Sequence, residues 1–76
     1  MAQRNFNTNL TGEERRRIGE LVKTLRTNSA VSQRDLAFKT GLSPARITQI
    51  EKGTQDYRID TLIVILDHFG RKISFV

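Results

Sequence analysis

The sequence predicts a mainly α fold: four to five short helices in one domain, closed by a short C-terminal β-strand. Three observations predict it. Apolar residues recur at three- and four-residue spacings through most of the chain. Serine caps and glycine stops bracket two short helices between Gln33 and Lys52. Over the last six residues the period changes to two, with Ile73 and Phe75 alternating with Lys72 and Ser74.

Residues 1–10 (MAQRNFNTNL) are polar, asparagine-rich and aperiodic, and read as a flexible leader. The alternatives are Phe6 folded back on the core and Arg4 as a basic arm reaching into the groove of a polyanion. The domain proper is expected over residues 11–70. Thr11-Gly-Glu-Glu14 has the form of a capping box, with Leu10 placed as its hydrophobic staple. The helix it opens runs to about Thr27 or Asn28, with Ile18, Leu21, Val22 and Leu25 as its apolar stripe. Gly19 costs that helix up to ~1 kcal/mol against alanine. It either admits a close helix approach or is incidental. Arg15, Arg16 and Arg17 are flanked by Glu13, Glu14 and Glu20, and read mainly as a solvated face with weak local ion pairs.

After a short connection anchored by Val31, Ser32 caps a second helix, with Asp35 three positions on. Leu36 and Ala37 face inward. Gly41 stops this helix, because glycine takes the left-handed conformation without steric cost. Leu42 plugs the turn, and Ser43-Pro44 opens the third helix as N-cap and first helical residue. Ile47 and Ile50 face inward, so Arg46 and Gln49, also three apart, are expected to face outward together. Two helices of about nine residues around a glycine turn, with hydrogen-bonding groups on the second, form a helix-turn-helix.

Gly53-Thr-Gln-Asp-Tyr-Arg58 is then a polar loop. A fourth helix is expected from Ile59 to Phe69, with Asp60 in its first turn and Leu62, Ile65, Leu66 and Phe69 on one face. Ile63 and Val64 make it apolar on a second side, which suggests a partner chain. Gly70 ends it, and His68 reads as a surface or dipole-facing histidine. Residues 71–76 form the strand. With no other strand in the chain to complete its ladder, the economical partner is the same strand of a second copy, paired antiparallel across a two-fold axis.

Gln33, Ala37, Gly41, Ile47, Ile50 and Glu51-Lys52-Gly53 together resemble the Xre/Cro-type repressors, the group that includes the lambda and 434 phage repressors. The resemblance runs from about Ile18 to Phe69. It implies a lambda-repressor-like helix-turn-helix domain whose third helix enters the DNA major groove. It also implies a salt bridge from Arg26 to Glu51. Burial beside Ile50 would give that carboxylate need of a cation. Many relatives carry glycine where this chain has Ala30, and proline where it has Tyr57. Tyr57 either packs on the domain or hydrogen-bonds a phosphate.

The expected interface with double-stranded DNA follows. Arg46 is the candidate for a guanine edge, Gln49 for adenine or a flanking base, and Ala45 for a thymine methyl group. Gln33, Ser43 and Lys52 should position the DNA backbone, with Thr48 facing a base or a phosphate. Lys52, Thr54 and Arg58 are phosphate candidates, and Gln55 touches a base or a phosphate. Ile63, Val64, Ile73 and Phe75 are the expected homodimer contacts.

Composition narrows the function further. The 76 residues carry a net charge of +5, with pI near 10.5, which favours a polyanionic partner. The chain has no cysteine and one histidine, His68, so neither a disulfide framework nor a thiolate or histidine metal centre is expected, and no cofactor is. No catalytic constellation is present, and the chain is not expected to be an enzyme. No apolar run approaches a membrane span and no signal peptide precedes the domain, so a cytoplasmic location is expected. The reading is a homodimeric repressor on an inverted-repeat operator, and among such repressors an autoregulating antitoxin with a toxin protein as second partner. A fourth helix followed by a strand resembles the HipB-type antitoxins in layout; many antitoxins neutralise through an extension, and the absence of a tail after Val76 is expected to weaken that reading. The alternative is a stand-alone phage or mobile-element repressor, or a restriction-modification controller, with no toxin.

Overall fold

The computed structural model describes residues 11–72; the expected leader over residues 1–10 and the residues Ile73 to Val76 of the expected strand lie outside them. Among the described residues there are four α-helices and no strand: α1 (Gly12–Asn28), α2 (Gln33–Thr40), α3 (Pro44–Lys52) and α4 (Ile59–His68). The starts of α1, α2 and α3 are determined locally, whereas α4 begins after Arg58 with no side-chain cap. The Thr11 hydroxyl accepts from the Glu14 amide at 3.0 Å, and the Glu14 carboxylate accepts from the Thr11 amide at 2.9 Å, closing the capping box. Ser32 accepts from the Asp35 amide and Ser43 from the Arg46 amide, each satisfying a helix N–H that has no partner in its own helix. Gly41 closes α2 at φ 75°.

The helices converge on one core. Val22 of α1, Leu36 and Ala37 of α2, Ile47 and Ile50 of α3, and Leu62, Ile65 and Leu66 of α4 are all buried. Ile18, Leu25, Val31, Leu42, Tyr57 and Phe69 pack around them. α1 lies against α3, and α2 bridges α3 and α4. Gly19 sits at the α1–α3 crossing. A β-carbon there would stand 2.5 Å from the Glu51 carbonyl oxygen and closer still to that of Ile50. The glycine therefore sets how near α3 can come, and its helix-propensity cost is offset by that contact.

Two expectations for α1 need correction. Leu21 is not part of the buried stripe: it is 49% exposed, and with Leu25, Leu66, Arg71 and Lys72 it lines an open groove of about 260 Å³. α1 turns its buried side to α3, which leaves Leu21 beyond the edge of the core. Arg15 is not merely part of a solvated face. It donates to the Gly53 carbonyl oxygen at 3.3 Å and to the Asp56 carboxylate at 2.6 Å, tying the start of α1 to the loop after α3. Arg17 does behave as expected, pairing locally with Glu13 on an exposed surface.

The connection between α1 and α2 is strained. Ala30 has φ 56°, in the left-handed region where a β-carbon costs roughly 1–2 kcal/mol. Glycine would remove that cost but bring more unfolded-chain entropy, worth roughly 0.5–1 kcal/mol. Ala30→Gly is therefore expected to stabilise the domain by about 0.5–1 kcal/mol. Urea denaturation of the two proteins checks this, and a destabilised variant would mean that the turn is relaxed with alanine.

Candidate nucleic-acid interface

The third helix is held from behind by a polar network. Glu51 lies in the last turn of α3 with its side chain 4% exposed. Its Oε2 accepts from Arg26 Nε at 2.6 Å, and its Oε1 accepts from Arg26 Nη2 at 3.1 Å and from Gln33 Nε2 at 2.9 Å. The two planar groups meet fork to fork, which fixes orientation as well as charge. Arg26 Nη1 donates to the Val31 carbonyl oxygen at 3.0 Å, so the same guanidinium also grips the strained turn. Gln33 continues the network, its Oε1 accepting from the Thr48 hydroxyl at 3.1 Å. One chain of bonds thus runs from α1 through α3 to the start of α2 and back to α3.

Gln33 and Thr48 are consequently half-buried and already bonded within the protein. The Thr48 hydroxyl also meets the Pro44 carbonyl oxygen at 3.1 Å. Sequence reasoning missed this arrangement. The signal for it was chemical: a buried carboxylate has about four lone-pair sites, more than one arginine fills.

The outward face of α3 is a different set. Ala45, Gln49 and Lys52, at spacings of four and three, form the row opposite Ile47 and Ile50. Ala45, Lys52 and the cap residue Ser43 are exposed, and Gln49 is half-buried. Arg46 stands on the flank of this row, about 40° around the helix from buried Ile50. Its Nη2 donates to the Asp56 carbonyl oxygen at 3.1 Å and its Nη1 to Gln49 Oε1 at 3.4 Å.

The loop beyond α3 is clamped from two sides. Gly53 caps α3 at φ 69°, pressed against the start of α1, where a β-carbon would lie 2.8 Å from the Arg16 backbone nitrogen. Asp56 takes Arg15 on its carboxylate and Arg46 on its carbonyl. Thr54 returns to the Gln49 carbonyl oxygen through both its amide, at 3.1 Å, and its hydroxyl, at 3.4 Å. Thr54, Gln55 and Arg58 are exposed along this loop, and Arg58 pairs loosely with Asp60 at 3.3 Å. Tyr57 packs on the core, so of its two readings the structure selects the first. Its buried hydroxyl has no hydrogen-bond partner among the described residues. Burial pushes the phenol pKa up, and the Arg15 charge partly opposes this.

On α4 the expected surplus apolar surface is present: Ile59, Ile63 and Val64 are each close to half exposed. Ile73 and Phe75 lie outside the described residues. Among the described residues no group of His, Asp and Glu side chains could hold a metal ion, and no helix is long and apolar enough to cross a membrane.

A helix-turn-helix family model matches residues 22–76. The fold is similar to a crystal structure of the clp gene regulator ClgR from C. glutamicum. The TM-score is 0.73 at 22% sequence identity, over 78% of this chain and 76% of that one. A second ClgR crystal structure, from Corynebacterium glutamicum, gives 0.70 at 23% identity, over 74% of this chain and 60% of that one. At such identity the likeness is one of fold. No curated protein matches the sequence.

Proposed function

Because the chain belongs to the Xre/Cro-type helix-turn-helix family of DNA-binding transcription regulators, we propose that it is a homodimeric repressor of an inverted-repeat operator. The observation that carries this reading is the outward row of α3, exposed at Ala45 and Lys52 and braced from behind by the Arg26–Glu51–Gln33–Thr48 network. A helix held that firmly can enter the major groove without paying to order itself on arrival. Ala45 and Gln49 face the base edges, with Arg46 beside them. Ser43, Lys52, Thr54, Gln55 and Arg58 meet phosphates, and Gln33 and Thr48 hold the helix at the correct depth. The two half-sites lie about one helical turn apart, roughly 34 Å.

In this reading the chain represses its own operon and is the antitoxin of a toxin–antitoxin pair. The support is the alternation of Ile73 and Phe75 after α4, a strand pattern that offers pairing to a second copy. A toxin reading frame beside the gene would support this, and a gene with no such neighbour would count against it.

The DNA reading is tested by titrating the protein against a selected site and against random duplexes over a range of salt. Lys52→Ala is expected to weaken binding to all sequences alike and to lower the salt slope by about one. A wild-type protein that binds duplex DNA with neither sequence preference nor salt dependence would refute the proposal.

A further inference from the structure

We infer that Arg46 is a positioning residue for DNA recognition, acting through Gln49 by fixing which end of the Gln49 amide faces the bases. The inference rests on the proposed function, and it names what determines specificity at that site. An amide side chain presents an acceptor at one end and two donors at the other, and the two ends are nearly equal in shape. Free to rotate, glutamine reads adenine with both ends or adapts to other edges. Here the choice is constrained. Guanidinium has only donors, so the amide end that meets Arg46 Nη1 at 3.4 Å has to be oxygen. Arg46 is itself held by its second nitrogen, which donates to the Asp56 carbonyl oxygen at 3.1 Å. Asp56 is in turn fixed to α1 by Arg15 at 2.6 Å.

The chain of contacts therefore runs from α1 through the loop to the reading row of α3. Arg46 fills one of the two lone pairs of Oε1 and draws that oxygen toward the flank of the row, and among the described residues nothing else bonds to the Gln49 side chain, so its Nε2 protons are the end turned to an outside acceptor. The base edges that match are those with acceptors in the major groove: guanine through O6 and N7, adenine through N7, thymine through O4. Among these guanine fits best, because it alone offers two adjacent acceptors to one donor group. Gln49, held in this way, prefers guanine where an unrestrained glutamine would prefer adenine.

The test is selection of binding sites from a randomised duplex library by the wild type, Arg46→Met, Arg46→Lys, Gln49→Ala and the Arg46→Met/Gln49→Ala double variant. Arg46→Lys keeps the charge, and with it the attraction to phosphates, but loses the planar fork that holds two acceptors at once. The wild type is expected to favour guanine at one base pair per half-site by about tenfold. Both Arg46 variants should relax that preference toward adenine at the same base pair that Gln49→Ala affects. The double variant should select as Gln49→Ala does. Melting temperatures identify any variant that fails to fold, and either Arg46 substitution suffices for the comparison. The inference is overturned if Arg46→Lys leaves the preference unchanged. It is also overturned if the Arg46 variants lose preference at a base pair of their own, additively with Gln49→Ala, since Arg46 would then read a base directly. A wild type that selects no sequence removes the DNA-reading proposal itself.

Discussion

Arg26→Ala is expected to cost about 3–5 kcal/mol of folding stability, a large part of the roughly 4–11 kcal/mol expected for a domain of this size. The bridge is buried, with its side chains 12% and 4% exposed, so solvent screens it little. Removing Arg26 leaves the Glu51 carboxylate with Gln33 as its remaining donor and strips the Val31 carbonyl of its bond. Glu51→Ala leaves a guanidinium facing the core with that carbonyl alone. Each single change strands a charge, whereas the double change Arg26→Met/Glu51→Leu removes both and fills the space with carbon. The pair of losses should therefore be strongly non-additive, with the double variant more stable than either single one. Urea denaturation of the wild type, Arg26→Met, Glu51→Leu and Arg26→Met/Glu51→Leu closes the cycle and measures the coupling. Small additive losses would show that the bridge contributes no net stability, and the network could not then be what braces α3.

Much of this fold was legible because it is locally encoded. Thr11 with Glu14, Ser32, Ser43 with Pro44, and Gly41 each act within four residues of themselves, so the starts of α1, α2 and α3 and the α2 stop follow from short-range rules. The Arg26–Glu51 bridge spans 25 residues, and it was anticipated through family resemblance together with the burial of Ile50. What stayed hidden was chemistry between distant surfaces. Nothing near Arg15 points to Asp56, 41 residues away, so an arginine run was read as a solvated face. Helical spacing showed that Leu21 shares a side with Val22 and Leu25, but periodicity does not say how wide the covering neighbour is. The same limit applies to Arg46 and Gln49. Three residues separate them, and only the course of the 53–57 loop gives the Arg46 guanidinium its acceptor at the Asp56 carbonyl. In that case a clue was available, since Arg46 precedes buried Ile50 by one turn.

The second large effect concerns assembly. Ile63→Asp combined with Val64→Asp should leave a folded but largely monomeric domain whose operator affinity falls by about two orders of magnitude or more. Both side chains are nearly half exposed, so charge at these positions costs the monomer core little. Ile63 shares a row with Ile59, four residues earlier, beside the buried side of α4, and Val64 points away from the core. Three large apolar side chains on one ten-residue helix are more than scattered surface exposure accounts for. A second α4 packed there would cover them, and the alternation of Ile73 and Phe75 in the sequence is the proposed second part of the interface, paired as antiparallel strands. Such an interface sets the distance between the two α3 helices, so it determines both affinity and operator spacing. When it is lost, each domain binds its half-site alone and the effective concentration supplied by the partner disappears. Truncation after Gly70 separates the two parts of the interface. If strand pairing dominates, the truncated chain is monomeric; if α4 dominates, it remains a dimer with near-normal operator binding. Sedimentation velocity and operator titration on both variants decide this. A double aspartate variant that still sediments as a tight dimer would move the interface away from α4 altogether.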